Sequence, residues 1–186
     1  MPGAKYSTFS RVLGGLYYSH GVQDRRMDVT VDYRLTGAGW SSCTIDLYGR
    51  SCVVTASYLS DALRELVSAT NHVLAGAKEA RFRFDEEPGE YRWILSSTGD
   101  GGLLVKILEF PQLWGEEPDS EGKSVLEATC PAKLFGEAVL LSLNRLLDEH
   151  GLFGYWEKWV EADFPVDGYR TLCSRLGAPL SRVIAE

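Results

Sequence analysis

From residue 28 onward the chain alternates in a way that can be read directly. Val29, Val31, Tyr33 and Leu35 are apolar, and Asp28, Thr30, Asp32 and Arg34 between them are polar. That two-residue period predicts a strand with one face in a core. Gly37-Ala38-Gly39 predicts a turn, followed by strands over Ser41–Tyr48 and Ser51–Ala56. If Gly49 and Arg50 form a two-residue hairpin loop, Leu47 faces Cys52, Ile45 faces Val54 and Cys43 faces Ala56, all on one apolar side. Cys43 and Cys52 would then lie about 13 Å apart along the ladder, too far for a disulfide.

The period then changes. Leu59, Ala62, Leu63, Leu66, Val67, Thr70, Val73 and Leu74 recur at three- and four-residue steps, which predicts a helix over Ser57–Gly76. Ser57 or Ser60 would cap it, with Asp61 in the first turn and Gly76 at its end. Alternation returns in Glu79–Phe84 and Tyr91–Ser96, joined by Asp85-Glu-Glu-Pro-Gly-Glu90. It continues in Leu103–Phe110 and Ser124–Cys130. Gly99-Asp-Gly-Gly102 has no helix behind it to serve a phosphate, so it predicts a turn. Pro131 opens a long apolar helix to about His150, closed by Gly151. An aromatic helix with Tyr155, Trp156 and Trp159 follows, then another near Asp167–Leu176. Within Tyr155-Trp-Glu-Lys-Trp-Val160, the aromatics cover a core while Glu157 and Lys158 reach water.

Three strands, a helix, four strands and a helix predict an α+β fold. Its antiparallel sheet of about seven strands is curved or split, with two long helices on one face. No linker-like composition interrupts the chain, so 1–186 reads as one domain with residues 1–27 as an N-terminal arm. That arm holds Tyr6, Phe9, Tyr17 and Tyr18 and is either ordered or a mobile lead-in.

Charge narrows the function. The net charge is -7, and it is unevenly spread: +2 through residue 56 and -9 beyond. Phosphate backbones need clustered Lys and Arg, so a nucleic-acid partner is disfavoured. No apolar run approaches the roughly 18 residues of a membrane span. Arg11, Gly14, Gly15 and His20 interrupt the start, so no signal peptide is expected and a cytoplasmic place is. Cys43, Cys52, Cys130 and Cys173 form no C-x-x-C pair, and His20, His72 and His150 are scattered. Zinc is not expected on that spacing, nor any other metal or cofactor. The cysteines read as small buried apolar residues.

No nucleophile elbow or phosphate-binding loop is present. The loop Phe110–Gly122 instead sets Trp114 among Glu116, Glu117, Asp119 and Glu121. An aromatic anchor ringed by one charge sign suits a basic protein partner. The alternative is a solvated loop whose Trp folds back into the core, with its acids kept for solubility. Glu86 and Glu87 would extend the acidic surface if the two loops were neighbours. Two alternatives stand beside this one. Asp85, Glu87, Glu90 and Glu109 could form an enzymatic carboxylate site in a deep pocket. A structural homodimer could form through an exposed sheet edge. Arg81, Arg83 and Arg92 read as cross-strand partners of acids, or as a face for a small anion.

The stretches Leu35-Thr-Gly-Ala-Gly-Trp40, Ser57-Tyr-Leu-Ser-Asp-Ala-Leu63 and Phe84-Asp-Glu-Glu-Pro-Gly-Glu-Tyr-Arg-Trp93 together resemble a group of uncharacterised bacterial proteins over about residues 28–165. In size, acidity and element pattern the chain also looks like immunity proteins of bacterial polymorphic toxin systems. That likeness implies a cytoplasmic inhibitor that occludes the active site of a basic toxin domain.

Overall fold

The computed structural model describes residues 28–160 and 162–185. The expected N-terminal arm of residues 1–27, with Tyr6, Phe9, Tyr17, Tyr18 and His20, lies outside them.

All seven expected strands form, and they divide into two antiparallel sheets. β1 (Val29–Gly37), β2 (Trp40–Leu47) and β3 (Arg50–Ser57) make the first, in chain order. The loop between β2 and β3 is Tyr48-Gly49, not Gly49-Arg50. Both residues have positive φ, 57° and 82°, the signature of the tight turn whose twist matches paired strands. Leu47 therefore faces Arg50, Ile45 faces Cys52 and Cys43 faces Val54. The expected register is off by two residues. A shift of two returns every side chain to its original face, so Cys43, Ile45, Leu47, Val54 and Ala56 are all buried as expected. Cys43 and Cys52 become diagonal neighbours, about 7–8 Å apart between Cα atoms, and both are free thiols.

α1 (Ala62–Leu74) starts five residues later than expected. The two serines foreseen as caps are used elsewhere. Ser57 ends β3 and its hydroxyl donates to the Asp85 carbonyl, while Ser60 Oγ accepts from the Asp85 N–H. Asp61 is left to cap α1, its carboxylate accepting from Arg64 N at 3.3 Å.

The second sheet contains β4 (Glu79–Asp85), β5 (Glu90–Ser97), β6 (Gly102–Phe110) and β7 (Lys123–Pro131), again in chain order. α2 (Ala132–Lys158) follows directly. Its backbone leaves helical geometry at Gly151, where φ is 62°, so the break falls where expected. Tyr155 and Trp159 beyond it are buried, with Glu157 and Lys158 exposed. α3 (Val166–Leu176) and the short α4 (Arg182–Ala185) complete the described residues.

The helices and both sheets feed one apolar core. α2 packs on β1, and α1 packs on β4 and β5. Aromatic rings join these parts. Trp93 stacks on Phe82 and meets Phe84, each at 5.1 Å between centroids. Phe84 meets Tyr33 edge-on at 6.2 Å, and Tyr33 meets Trp159 at 6.4 Å. Each such pair adds about 0.5–1.5 kcal/mol beyond the area it buries.

Three strand N–H groups find side-chain acceptors on neighbouring elements. Tyr33 N donates to Ser142 Oγ on α2 at 2.8 Å. On β4, Arg83 N donates to Glu65 at 3.1 Å and Asp85 N to Ser60 at 3.0 Å.

Candidate functional site

The hairpin joining β4 to β5 and the loop joining β6 to β7 come together at one end of the second sheet. Gly89 makes the approach possible: a Cβ there would stand 2.3 Å from the Phe110 carbonyl oxygen. The sequence could not show that the two acidic loops are neighbours.

Trp114 does not fold back into the core. It is 62% exposed and has φ of 54°. Two buried carboxylates hold it there. Its backbone N–H donates to Glu90 Oε2 and its indole N–H to Asp85 Oδ2, both at 3.0 Å. Asp85 ends β4 and Glu90 begins β5, facing each other across the hairpin. An aromatic outside the core with both its N–H groups satisfied is held ready for contact, which lowers the ordering cost of binding.

Arginines fasten the rest of the loop. Glu90, fully buried, accepts from Arg92 Nε at 2.6 Å and from Arg83 at 3.2 Å. Arg92 also donates to the Glu117 and Gly115 carbonyls and lies 3.8 Å over the Phe110 ring. Arg81 pairs with Glu79 and Asp119. Burial alone would raise the Glu90 carboxyl. The hydrogen bonds from Arg92 and Trp114, with the charges of Arg92 and Arg83, outweigh it and hold Glu90 below the ordinary carboxylate range.

The acids foreseen as a partner surface separate into two sets. Glu86 accepts from the Thr55 hydroxyl, Asp119 is paired with Arg81, and Glu117 is half-buried beside Arg92. These three are committed internally. Glu87, Glu116 and Glu121 are exposed, with no ion pair or hydrogen bond to their carboxylates among the described residues. Trp114 and these three carboxylates make up the open part of the site.

Sequence reasoning missed Tyr58, Leu59 and Val160. All three are exposed apolar residues, at 53%, 37% and 49%. Ser57 and Ser60, which flank Tyr58 and Leu59, both bond the main chain of Asp85, the residue that holds the Trp114 indole. Tyr58 and Val160 meet over Gly39, each within 3 Å of where a Cβ would stand. Val160 has φ of 50°, an uncommon state for a β-branched residue. The available signal was Tyr-Leu in a strand-to-helix connection, but the helix was expected to begin there.

A groove of about 760 Å³ runs between α1 and β4 and is lined by Arg64, His72, Arg81, Arg83, Gly115 and Asp119 among others. Asp85, Glu87, Glu90 and Glu109 do not line it. Glu109 pairs with Lys123 at 2.7 Å. Every guanidinium in the groove has an internal acceptor: Asp61 and Asp163 for Arg64, Glu79 and Asp119 for Arg81, Glu90 for Arg83 and Arg92. Arg81, Arg83 and Arg92 do pair with acids, but of these pairs Arg83–Glu90 crosses strands as foreseen, whereas Arg81–Glu79 and Arg92–Glu90 join residues two apart on one strand and Arg81–Asp119 reaches the loop.

Cys43, Cys130 and Cys173 are buried and Cys52 is half-buried. Among the described residues no group of three His, Cys, Asp or Glu is placed to hold a metal ion. His150 stands near the break in α2 at Gly151. Burial and the Lys158 charge move it below its ordinary value, against the pull of Glu149. Among the described residues no helix is long and apolar enough to cross a membrane.

No protein-family model, curated protein or solved structure matches the chain. The site is therefore interpreted from its own geometry.

Proposed function

We propose that this chain is a small acidic protein-binding module that engages a basic protein through Trp114 and its frame of carboxylates. One observation carries the proposal. Trp114 is exposed, yet both its N–H groups are tied to buried acids, while Glu87, Glu116 and Glu121 of the same two loops are left open. Binding energy in protein interfaces concentrates in a few residues, Trp prominent among them. The unpaired carboxylates supply steering and select for positive charge. Tyr58, Leu59 and Val160 add apolar contact area around the corner from Asp85.

The mechanism is occlusion. Trp114 enters a pocket on the partner while the open carboxylates take the place of an anionic substrate. The resemblance to immunity proteins of toxin systems makes a basic toxin domain the partner class of choice, in the cytoplasm. The test is capture of the partner by the intact protein, followed by affinity measurement on purified components. Trp114→Ala and Glu116→Lys should each weaken binding by tenfold or more, about 1.4 kcal/mol, with unchanged folding. Full affinity in both variants removes this site.

A further inference from the structure

The groove between α1 and β4 holds polar groups that the Trp114 site does not use. Arg64, Ser68 and His72 follow one another along α1 at four-residue steps, so they share one wall and span about 12 Å. The sheet side contributes Phe82 and Trp93, whose rings stack at 5.1 Å between centroids. The volume of about 760 Å³ lies within the roughly 300–1,000 Å³ of small-ligand pockets. Two kinds of donor in these walls are left with unused capacity. Trp93 is fully buried, and its indole N–H has no partner among the described residues. A buried donor in that state is unfavourable until an acceptor reaches it. A guanidinium offers five N–H donors. Among the described residues Arg83 uses one side-chain donor, on Glu90, and nearly half of its side chain is exposed. Arg64 uses two, on Asp61 and the Asp163 carbonyl. Glu65 follows Arg64 in the chain and accepts from the Arg83 main-chain N–H, so both arginines belong to one end of the groove.

We propose that this groove binds a small organic oxyanion, a phosphate or carboxylate that carries a flat ring. The oxyanion sits between Arg64 and Arg83, whose planar forks match its geometry. The ring lies against half-buried Phe82, with Ala69 and Ala80 beside it. An oxygen of the ligand, or a water that it holds, accepts from the Trp93 N–H. Glu65 and Asp119 also line the groove, so it suits one anionic head rather than a chain of them. The whole chain carries -7 and does not draw anions from a distance, so selection rests on the guanidinium forks at contact. Neither Trp114 nor the open carboxylates take part, and the site stands apart from the proposed protein partner.

The test is titration of the full chain with phenyl phosphate and, separately, with phenylacetate, with the tryptophan indole N–H signals observed by NMR. At least one of the two should shift the Trp93 signal to saturation and leave that of buried Trp159 in place. The anion that binds more tightly identifies the head group. Arg83→Met, which removes a fork, and Ser68→Phe, which fills the groove from α1, should each weaken binding about tenfold or more. Benzyl alcohol, which keeps the ring and lacks the anion, should give no saturable shift. Absence of a saturable Trp93 shift with both anions overturns the proposal. Affinity unchanged in both variants, or benzyl alcohol binding as tightly as the anions, also overturns it.

Discussion

Trp93 and Trp114 sit on adjoining parts of the second sheet and are held by opposite means. Trp93 is 0% exposed, stacked on Phe82 and pressed by Phe84. Trp114 is mostly in water, fixed by hydrogen bonds to Asp85 and Glu90. The first is positioned by the area it buries and the second by directional bonds to buried charge. An aromatic can therefore be held outside a core by directional bonds to buried carboxylates. Of the two here, Glu90 is paired with arginine, and Arg92 reaches Glu90, Gly115 and Glu117 at once.

The contrast can be broken at either end. Trp93→Ala should cost about 3–5 kcal/mol of global stability in chemical denaturation, the usual range for a large aromatic removed from a core. A much smaller loss would mean that the ring stack is not what joins the sheets. Glu90→Gln should cost about 2–3 kcal/mol, because charge-assisted bonds from Arg92 and Arg83 are lost together. It should also change Trp114 fluorescence, and an unaltered signal would show that the loop holds itself in place without the acid.

Acid titration sharpens the same point. Glu90 is held lower in the folded chain than in the unfolded one. Its contribution is therefore present above the unfolded pKa and is lost as pH falls through the folded value. Trp114 fluorescence should stay constant down to about pH 4.3, the ordinary glutamate value, and change only below it. A transition above that value would place another carboxylate in control. The smallest effect belongs to Glu116→Lys, which should leave stability within about 0.5 kcal/mol as an exposed substitution. A larger change in the melting temperature would mean that Glu116 has a structural role.

The sequence carried the fold further than the site. Alternation around Val29–Leu35 and Tyr91–Ser96 is a local signal, and each strand formed where its pattern lay. The hairpin register slipped because Tyr48 takes a positive φ that a non-glycine residue rarely adopts, so Gly49 looked like the first turn residue when it is the second. α1 was expected too early because Ser57 and Ser60 look like helix caps, whereas a partner 25 to 28 residues away uses them. The site depends on bonds of that long-range kind. Trp114 reaches Asp85 across 29 residues and Arg92 reaches Gly115 across 23. Nothing in local spacing distinguishes Asp119, spent on Arg81, from Glu116 and Glu121, left open.

The side-chain acceptors along the strands also affect what can assemble with this chain. Glu65 and Ser60 take the β4 amides of Arg83 and Asp85, and Ser142 takes that of Tyr33. A neighbouring backbone finds those donors on the edge strands β1 and β4 occupied, which works against the addition of strands at those two edges. Recognition then falls to side chains, whose fit a single substitution can change, rather than to a ladder that any extended peptide can join. Glu65→Ala frees one of those amides. Incubated warm at high concentration, that variant should form thioflavin-positive fibrils sooner than the parent.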